Sequence, residues 1–392
     1  MKPGRDPHIS TPNAAWRRSV RHKLLTWFHK HKRALPWRES RDPYRVWISE
    51  IMLQQTQVAT VIPYFERFLR RFPTVQALAK ADEADVLRLW EGLGYYRRAR
   101  QLHAAARTIV SDHRGVFPED FAAILGLPGI GRYTAGAVAS IAFDQPVPIV
   151  EANTTRLFSR LLLFRGGPSS PTGQQLLWRF AREILPESGA SDINQALMEL
   201  GSLVCTPRNP NCPECPLLSL CPTNARQLQA QIPAAKQPKR YESVQEIAVA
   251  IRKGPHVLLR LRPSGERWAG LWDFPRFPAT TDALAQPRAH IVHQVRELTG
   301  LSVLPGNRLT VIKHAVTRFR ITLECYEAER LSGRLRHSSE SPWKWVSPRD
   351  LAEFPLNQTG RKLAGLIQSG SRSAGRSSAT MLKPPLARSS TL

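Results

Sequence analysis

Cysteine is scarce here: there are five in 392 residues, and four of them fall between positions 205 and 221. A secreted scaffold stapled by disulfides spreads its cysteines along the chain, so that class is excluded. A tight group points instead to a metal or cluster. Acidic residues are also few, 31 against 56 Lys plus Arg, for a formal net charge of +25. Such an excess favours a polyanionic partner and salt-sensitive binding. Long apolar runs are missing, which removes a membrane-spanning helix from consideration. The N-terminal stretch lacks the apolar core of a signal peptide. The expectation is a cytoplasmic, nucleoid-associated monomer with no membrane partner. What remains is ample core material, 42% hydrophobic residues, in a chain long enough for two domains and tails.

The chain divides by pattern. Residues 1–18 are basic, proline-bearing and without apolar period, and are expected to be disordered. Residues 19–204 read as all-α, with helices at 58–71, 83–91, 96–112, 119–125, 132–142, 152–163, 173–185 and 191–204, and another carrying Trp47, Ile48, Ile51, Met52, Gln55 and Val58. The cysteine loop occupies 205–221. A Lys/Gln/Pro-rich stretch at 222–243 reads as an interdomain linker. Residues 244–370 read as a small α+β domain, with strands near 246–252, 257–261, 308–312 and 319–326 and one helix at Ala283–Gly300. Residues 371–392 are Ser/Arg-rich without an acidic residue and read as a disordered tail.

Two stretches carry the first chemical signals. In Leu127-Pro-Gly-Ile-Gly-Arg-Tyr-Thr-Ala-Gly136, a glycine turn precedes a small-residue helix. Gly129 and Gly131 permit close backbone approach, and the free N–H groups of the helix start attract an anion. In a basic protein that anion is a nucleic-acid phosphate; an ordinary helix–turn–helix corner is the plainer alternative. Cys205, Cys212, Cys215 and Cys221 are nested in one compact loop. Four thiolates suit an iron–sulfur cluster or zinc, although zinc ribbons use two separated pairs. Arg208 projects from this loop, and Cys325 reads as a buried apolar filler.

The hairpin, a carboxylate about twenty residues beyond it and the cysteine spacing together resemble the helix-hairpin-helix DNA glycosylases of the endonuclease III superfamily, which hold a [4Fe-4S] cluster. Within them, Trp47-Ile-Ser-Glu-Ile-Met-Leu-Gln-Gln-Thr-Gln-Val and Gly92-Leu-Gly-Tyr-Tyr-Arg-Arg-Ala-Arg resemble the MutY-type adenine glycosylases, which act on adenine opposite 8-oxoguanine. The likeness spans about 20–370. It implies a base-excision-repair hydrolase with a helical catalytic domain, a [4Fe-4S] cluster on the four cysteines and a MutT/Nudix-like second domain. The implied partner is duplex DNA containing A:8-oxoguanine or A:G pairs.

Glu50 is expected on one helical face with Gln54 and Gln57, flanked by apolar residues. Reduced solvation raises a carboxyl pKa, so that it holds a proton near neutrality. Adenine leaves only when its ring is protonated, and the resemblance assigns that role to Glu50. By itself the position also reads as a surface glutamate. Glu151 occupies the place of a family aspartate; here the run is Glu-Ala-Asn rather than Asp-Gly-Asn. A fixed anion there stabilises an oxocarbenium-like sugar, or else merely caps the helix beginning near Ala152. Asn153 would orient it. Tyr133 stands where the lyase branch carries a lysine; a phenol forms no Schiff base, so base release by hydrolysis alone is expected. The resemblance further implies wedge roles for Gln55 and Tyr95 with Thr56 beside them, a base-closing segment at 35–38 in which Trp37 packs on the base and Arg38 binds phosphate or pairs with a carboxylate, and an adenine contact at Gln195. Tyr96 is expected in the core. In the second domain, Arg267–Pro275 and Val295–Leu301 carry the likeness, but Glu297 lacks the acidic neighbours of a pyrophosphohydrolase. Val316-Thr317-Arg318 replaces the family's Phe-Ser-His, leaving the Thr317 hydroxyl for the oxidised base. Two other readings remain open at this level: an endonuclease III-like lyase, and a non-catalytic, cluster-stabilised DNA-binding protein.

Overall fold

The computed structural model describes residues 11–235, 241–337 and 339–377. Helices run α1 Ala14–His31, α2 Pro43–Leu53, α3 Val58–Arg71, α4 Val75–Ala79, α5 Glu83–Leu89, α6 Arg97–Asp112, α7 Phe121–Gly126, α8 Arg132–Phe143, α9 Ala152–Leu161, α10 Pro171–Glu183, α11 Ala190–Leu203 and α12 Pro222–Ala225. Then come strands β1 Glu242–Lys253, β2 His256–Leu261, β3 Trp272–Asp273 and β4 Arg276–Pro278, helices α13 Thr281–Ala285 and α14 Pro287–Thr299, strands β5 Leu301–Val316, β6 Phe319–Gly333 and β7 Trp343–Val346, and helix α15 Gln358–Ser377. Two compact units result: Met1–Ala81 with Arg97–Pro238, and Asp82–Tyr96 with Lys239–Leu392. The second contains a stretch, Asp82–Tyr96, that the sequence pattern places in the helical domain.

In the first unit α1 starts earlier than the expected disordered 1–18 segment allows. Asn13 caps it by accepting the Trp16 N–H at 2.9 Å. Val20, Leu24 and Phe28 form its apolar stripe and join a core with Leu157, Phe158, Phe180 and Leu197 from α9, α10 and α11. Residues 1–10 lie outside the described ones. Helix α8 is rich in small buried residues, Ala135 to Ala139 among them, and packs against α2. At Gly136 an added Cβ would come within 2.7 Å of the Pro148 carbonyl oxygen. That close approach seats the irregular run 147–150, which leads directly into Glu151. Gly136→Ala is therefore expected to cost about 1–3 kcal/mol, because the obstacle is backbone that must shift; a thermal melt checks this.

The expected 222–243 linker is only partly a linker. Thr223 donates to the Arg160 carbonyl at 2.6 Å, and Ile232 is buried with its carbonyl accepting from Arg160 Nε at 2.9 Å. Residues up to 232 thus pack on the cysteine-loop region, and 236–240 lie outside the described residues.

In the second unit the sheet order is β3-β2-β1-β6-β5, with β4 on β1 and β7 on β2. Strands β1 and β6 are parallel; the other pairs are antiparallel. Alternation along β1 sends Ala248 and Ala250 to one face and Ile247, Val249 and Ile251 to the other. The first face packs with Leu363, Ala364 and Ile367 of α15, the second with Ile291 and Val295 of α14. The single helix expected at Ala283–Gly300 is two, since Pro287 lacks an N–H and opens a new first turn. Helix α15 also continues to Ser377, past the expected start of the tail at 371; residues 378–392 lie outside the described ones.

Candidate active site

Helix α2 is capped by Asp42, which accepts the Tyr44 N–H at 2.9 Å, with Pro43 in its first turn. It ends at Leu53, so Gln54 and Gln57 do not share a continuous helical face with Glu50 as expected. Gln55 turns the chain at φ 58°, and Gln57 stands at the N-cap position of α3 without a side-chain capping bond. The helix breaks here because Arg98 ends it: one guanidinium nitrogen donates to the carbonyls of Ile51 at 2.7 Å, Met52 at 3.2 Å and Gln54 at 2.6 Å. A cation on these orphan carbonyls also complements the helix dipole. Arg98 lies within the Gly92–Arg100 motif, where sequence pattern alone gives it no role.

Glu50 is 4% exposed. Burial lifts its pKa from an ordinary 4.5 to about 7; the Tyr133 hydroxyl opposes this by donating to it, the Glu151 charge adds to it, and Arg38 opposes it. Burial and the Glu50 charge drive the Tyr133 phenol well above its usual pKa, so it stays a neutral donor. Glu151 is held from beneath. Its two oxygens accept the N–H groups of Asn153 at 2.7 Å and Thr154 at 2.8 Å, and its own N–H donates to the Thr154 hydroxyl at 2.8 Å, closing a capping box on α9. Burial raises its pKa, against those backbone bonds, Arg156 and the Asn153 side chain. The cap therefore fixes the carboxylate without withdrawing it from the cavity it lines. Asn153 is itself fixed by Arg156, which donates to its Oδ1 at 2.9 Å.

A cavity of about 520 Å³ gathers Trp37, Arg38, Glu50, Thr56, Tyr133, Glu151, Asn153 and Gln195. Trp37 is 7% exposed and packs edge-on to Phe65, 5.4 Å between centroids. Gln195 donates to the Ser191 hydroxyl at 3.2 Å. Arg38 is not free for phosphate: it donates to Glu199 at 2.9 Å, and Arg33 reaches both oxygens of Glu199 at 2.8 Å. Burial opposes ionisation of Glu199, but these bonds outweigh it and bring its pKa down to about 2. Glu199 and Arg33 line the cavity and were missed; a lone Glu among the apolar residues of α11, four after Gln195, was the available signal.

Other expected site residues lie outside this cavity. At the hairpin Gly129 has φ 73°, where glycine is favoured. Gly131 does not need that freedom, since it caps α8 at φ −93°; a Cβ there would meet nothing, so its place is open to an approaching backbone. Gln55 is exposed. In the second unit, Tyr95 is 49% exposed at φ 50° and Tyr96 is buried. Thr317 is exposed in the β5–β6 turn at φ 52°, its hydroxyl donating to the Val316 carbonyl at 2.8 Å. The neighbouring Arg318 charge is answered by Glu242 at 3.1 Å.

Cys205, Cys212, Cys215 and Cys221 rim one small void. Four thiols spaced around one void suit a polynuclear group held at its corners. Donors already aim at the sulfurs: Arg160 at Cys205 Sγ, 3.2 Å, and Gln229 at Cys212 Sγ, 3.6 Å. Such N–H groups stabilise thiolate charge.

Comparison with known proteins agrees with this geometry. Residues 48–183 match the HhH-GPD superfamily of base excision DNA repair proteins, 205–221 the iron–sulfur binding domain of endonuclease III, and 247–365 the NUDIX domain. The four cysteines therefore hold a [4Fe-4S] cluster. A thermostable thymine-DNA glycosylase is similar in structure, with TM-score 0.50 and 30% identity over 54% of this chain and 98% of that one. The adenine DNA glycosylase of Buchnera aphidicola from Schizaphis graminum is 37% identical over 65% of this chain and 74% of that protein. That of Rattus norvegicus is 33% identical over 88% of this chain and 77% of that protein. With its protonable Glu50 facing a fixed Glu151 in one cavity, and with relatives matched along most of their length, the chain belongs to the adenine DNA glycosylases.

Proposed function

We propose that this glycosylase removes adenine paired with 8-oxoguanine, and with guanine, from duplex DNA by hydrolysis alone. The observation that carries the chemistry is the buried Glu50 carboxyl, bonded to Tyr133 and facing the same cavity as Glu151. The adenine must leave the stack to reach it; in the helical unit Gln55 is the exposed side chain in left-handed backbone offered to the gap, and in the second unit Tyr95 has the same backbone and exposure. Held backbone strain of this kind concentrates at functional sites. Glu50 passes its proton to a ring nitrogen of adenine as the glycosidic C–N bond breaks. The bonding pair leaves with the base. Glu151, anionic and immobilised by its cap, stabilises the positive charge left on the sugar. Water adds to the anomeric carbon and its proton returns to a carboxylate. Tyr133 orients Glu50 and the water. The cluster supplies cross-linking of the loop and stands outside these steps.

Hydrolysis alone is supported by the cavity lining: among the described residues there, none is a lysine. Borohydride treatment during reaction with an abasic duplex is expected to trap no covalent adduct; efficient capture would favour the lyase reading. For the opposite strand, the reading rests on the exposed Thr317 turn and on α14, whose one carboxylate is Glu297, too few for the metal array of pyrophosphate hydrolysis. Single-turnover base release from A:8-oxoguanine, A:G and A:C duplexes tests it. The wild type should be fastest on A:8-oxoguanine. Thr317→Ala should narrow its lead over A:G by about tenfold, the worth of one well-placed hydrogen bond. An unchanged lead would move recognition away from Thr317.

A further inference from the structure

We infer that the ion pair between Glu91 and Arg361 is a positioning clamp for Tyr95, holding its turn on the C-terminal unit that also carries the Thr317 hairpin. This rests on the mispair reading proposed above. Residues Asp82–Tyr96 interrupt the helical region in sequence but belong to the second unit. Arg361, near the start of α15, grips Glu91 with two nitrogens, Nε to Oε1 at 2.5 Å and Nη2 to Oε2 at 2.7 Å. Its remaining donors bond the carbonyls of Leu351 and Phe354, both at 2.7 Å, and the Leu356 N–H points at Glu91 Oε2 at 3.4 Å. One guanidinium thus joins α15, the 3-10 turn at Pro348–Glu353 and the end of the α5 segment. A two-pronged Arg–carboxylate pair fixes direction as well as distance, which a lysine does not.

The turn immediately after Glu91 needs holding. Gly92, Gly94 and Tyr95 have φ of 100°, 72° and 50°. The indole of the fully buried Trp90 donates to the Gly94 carbonyl at 3.2 Å. Tyr95, the one non-glycine of the three, is unfavourable in left-handed backbone, yet its ring stands 49% exposed. Trp90 pins the turn from inside and Glu91 from the side. A base-stack probe and a hairpin for the opposite base are then carried by one fold, and Glu91 and Arg361, which touch neither base, set the first relative to the second.

The test uses full-length protein with Glu91→Gln, which removes the charge but leaves the carbonyl bonds of Arg361, and Arg361→Lys, which keeps charge but loses the fork. Amide hydrogen exchange is read at 92–96, together with the fluorescence of 2-aminopurine placed beside an A:8-oxoguanine pair and single-turnover base release. Glu91→Gln should speed exchange at 92–96 by about tenfold, weaken the 2-aminopurine response and slow base release by about tenfold, at an unchanged melting temperature. Arg361→Lys should fall between it and the wild type. Unaltered exchange at 92–96 in both variants would overturn the clamp, as would slower exchange or a loss of base release without faster exchange. If the wild type itself released no adenine from any mispair, the proposed function would fail, while the exchange measurement would still decide the clamp.

Discussion

Glu50→Gln is expected to slow single-turnover adenine release by about 10²–10⁴-fold, the range of a positioned general acid, with DNA binding retained. The glutamine keeps the shape and an acceptor for Tyr133 but has no proton to give. The pH profile carries the same signature. Burial raises the Glu50 pKa to about 7, and the protonated form is the working one, so the rate is full below that value and falls as pH rises through it. The pKa of Glu151 is also raised by burial, and its working form is the anion, so lowering the pH cuts the rate from the other side. The wild type should show a bell whose alkaline limb lies near 7, and Glu50→Gln should lose that limb. Equal rates for the two proteins would leave Glu50 a structural residue.

Glu151→Gln is the second large effect. It removes the anion facing the developing sugar cation, and deleting one preorganised electrostatic group should cost about 10²–10³-fold in rate. Glutamine retains one acceptor for the α9 cap, so the fold should survive; Glu151→Ala should cost a further 0.5–2 kcal/mol, roughly, as the cap is lost. Glu151→Asp is expected to keep or raise activity. Aspartate is a preferred N-cap residue, and the shorter side chain can accept the same Asn153 and Thr154 N–H groups. Base-release rates with a thermal melt for each variant separate chemistry from stability. Complete inactivity of Glu151→Asp in a folded protein would mean that the site is built around the longer side chain.

Local pattern explains what was legible. The hairpin turn, the cysteine spacing, helix α3 and helices α5 to α11 depend on neighbours in sequence, and so did the apolar setting of Glu50; the five-residue α4 at Val75–Ala79 is too short to show a period. Partners far apart were hidden. Glu199 meets Arg33 across 166 residues, and Glu91 meets Arg361 across 270. No periodicity announces such pairs, and the placement of Asp82–Tyr96 with the C-terminal unit was invisible for that reason. The end of α2 is hidden in the same way: its apolar pattern runs on through Val58, but Arg98 captures its last carbonyls and Gln55 turns outward. Glu151 was legible as two alternatives, cap or catalytic anion; the two backbone bonds show the cap, and its place in the cavity is what the proposed second role rests on. The expected tail at 371 was a composition argument, which cannot see a helix already nucleated by packing at Leu363 and Ile367.

The central claim is that a buried, protonated Glu50 drives adenine release. Its most direct test is the pH dependence of single-turnover release from an A:8-oxoguanine duplex, for wild type beside Glu50→Gln. A wild-type rate that falls through a pKa near 7, absent from a variant that binds the duplex but is slower by about 100-fold or more, is the predicted result. A wild-type profile flat across neutrality, or one that Glu50→Gln reproduces, would contradict it.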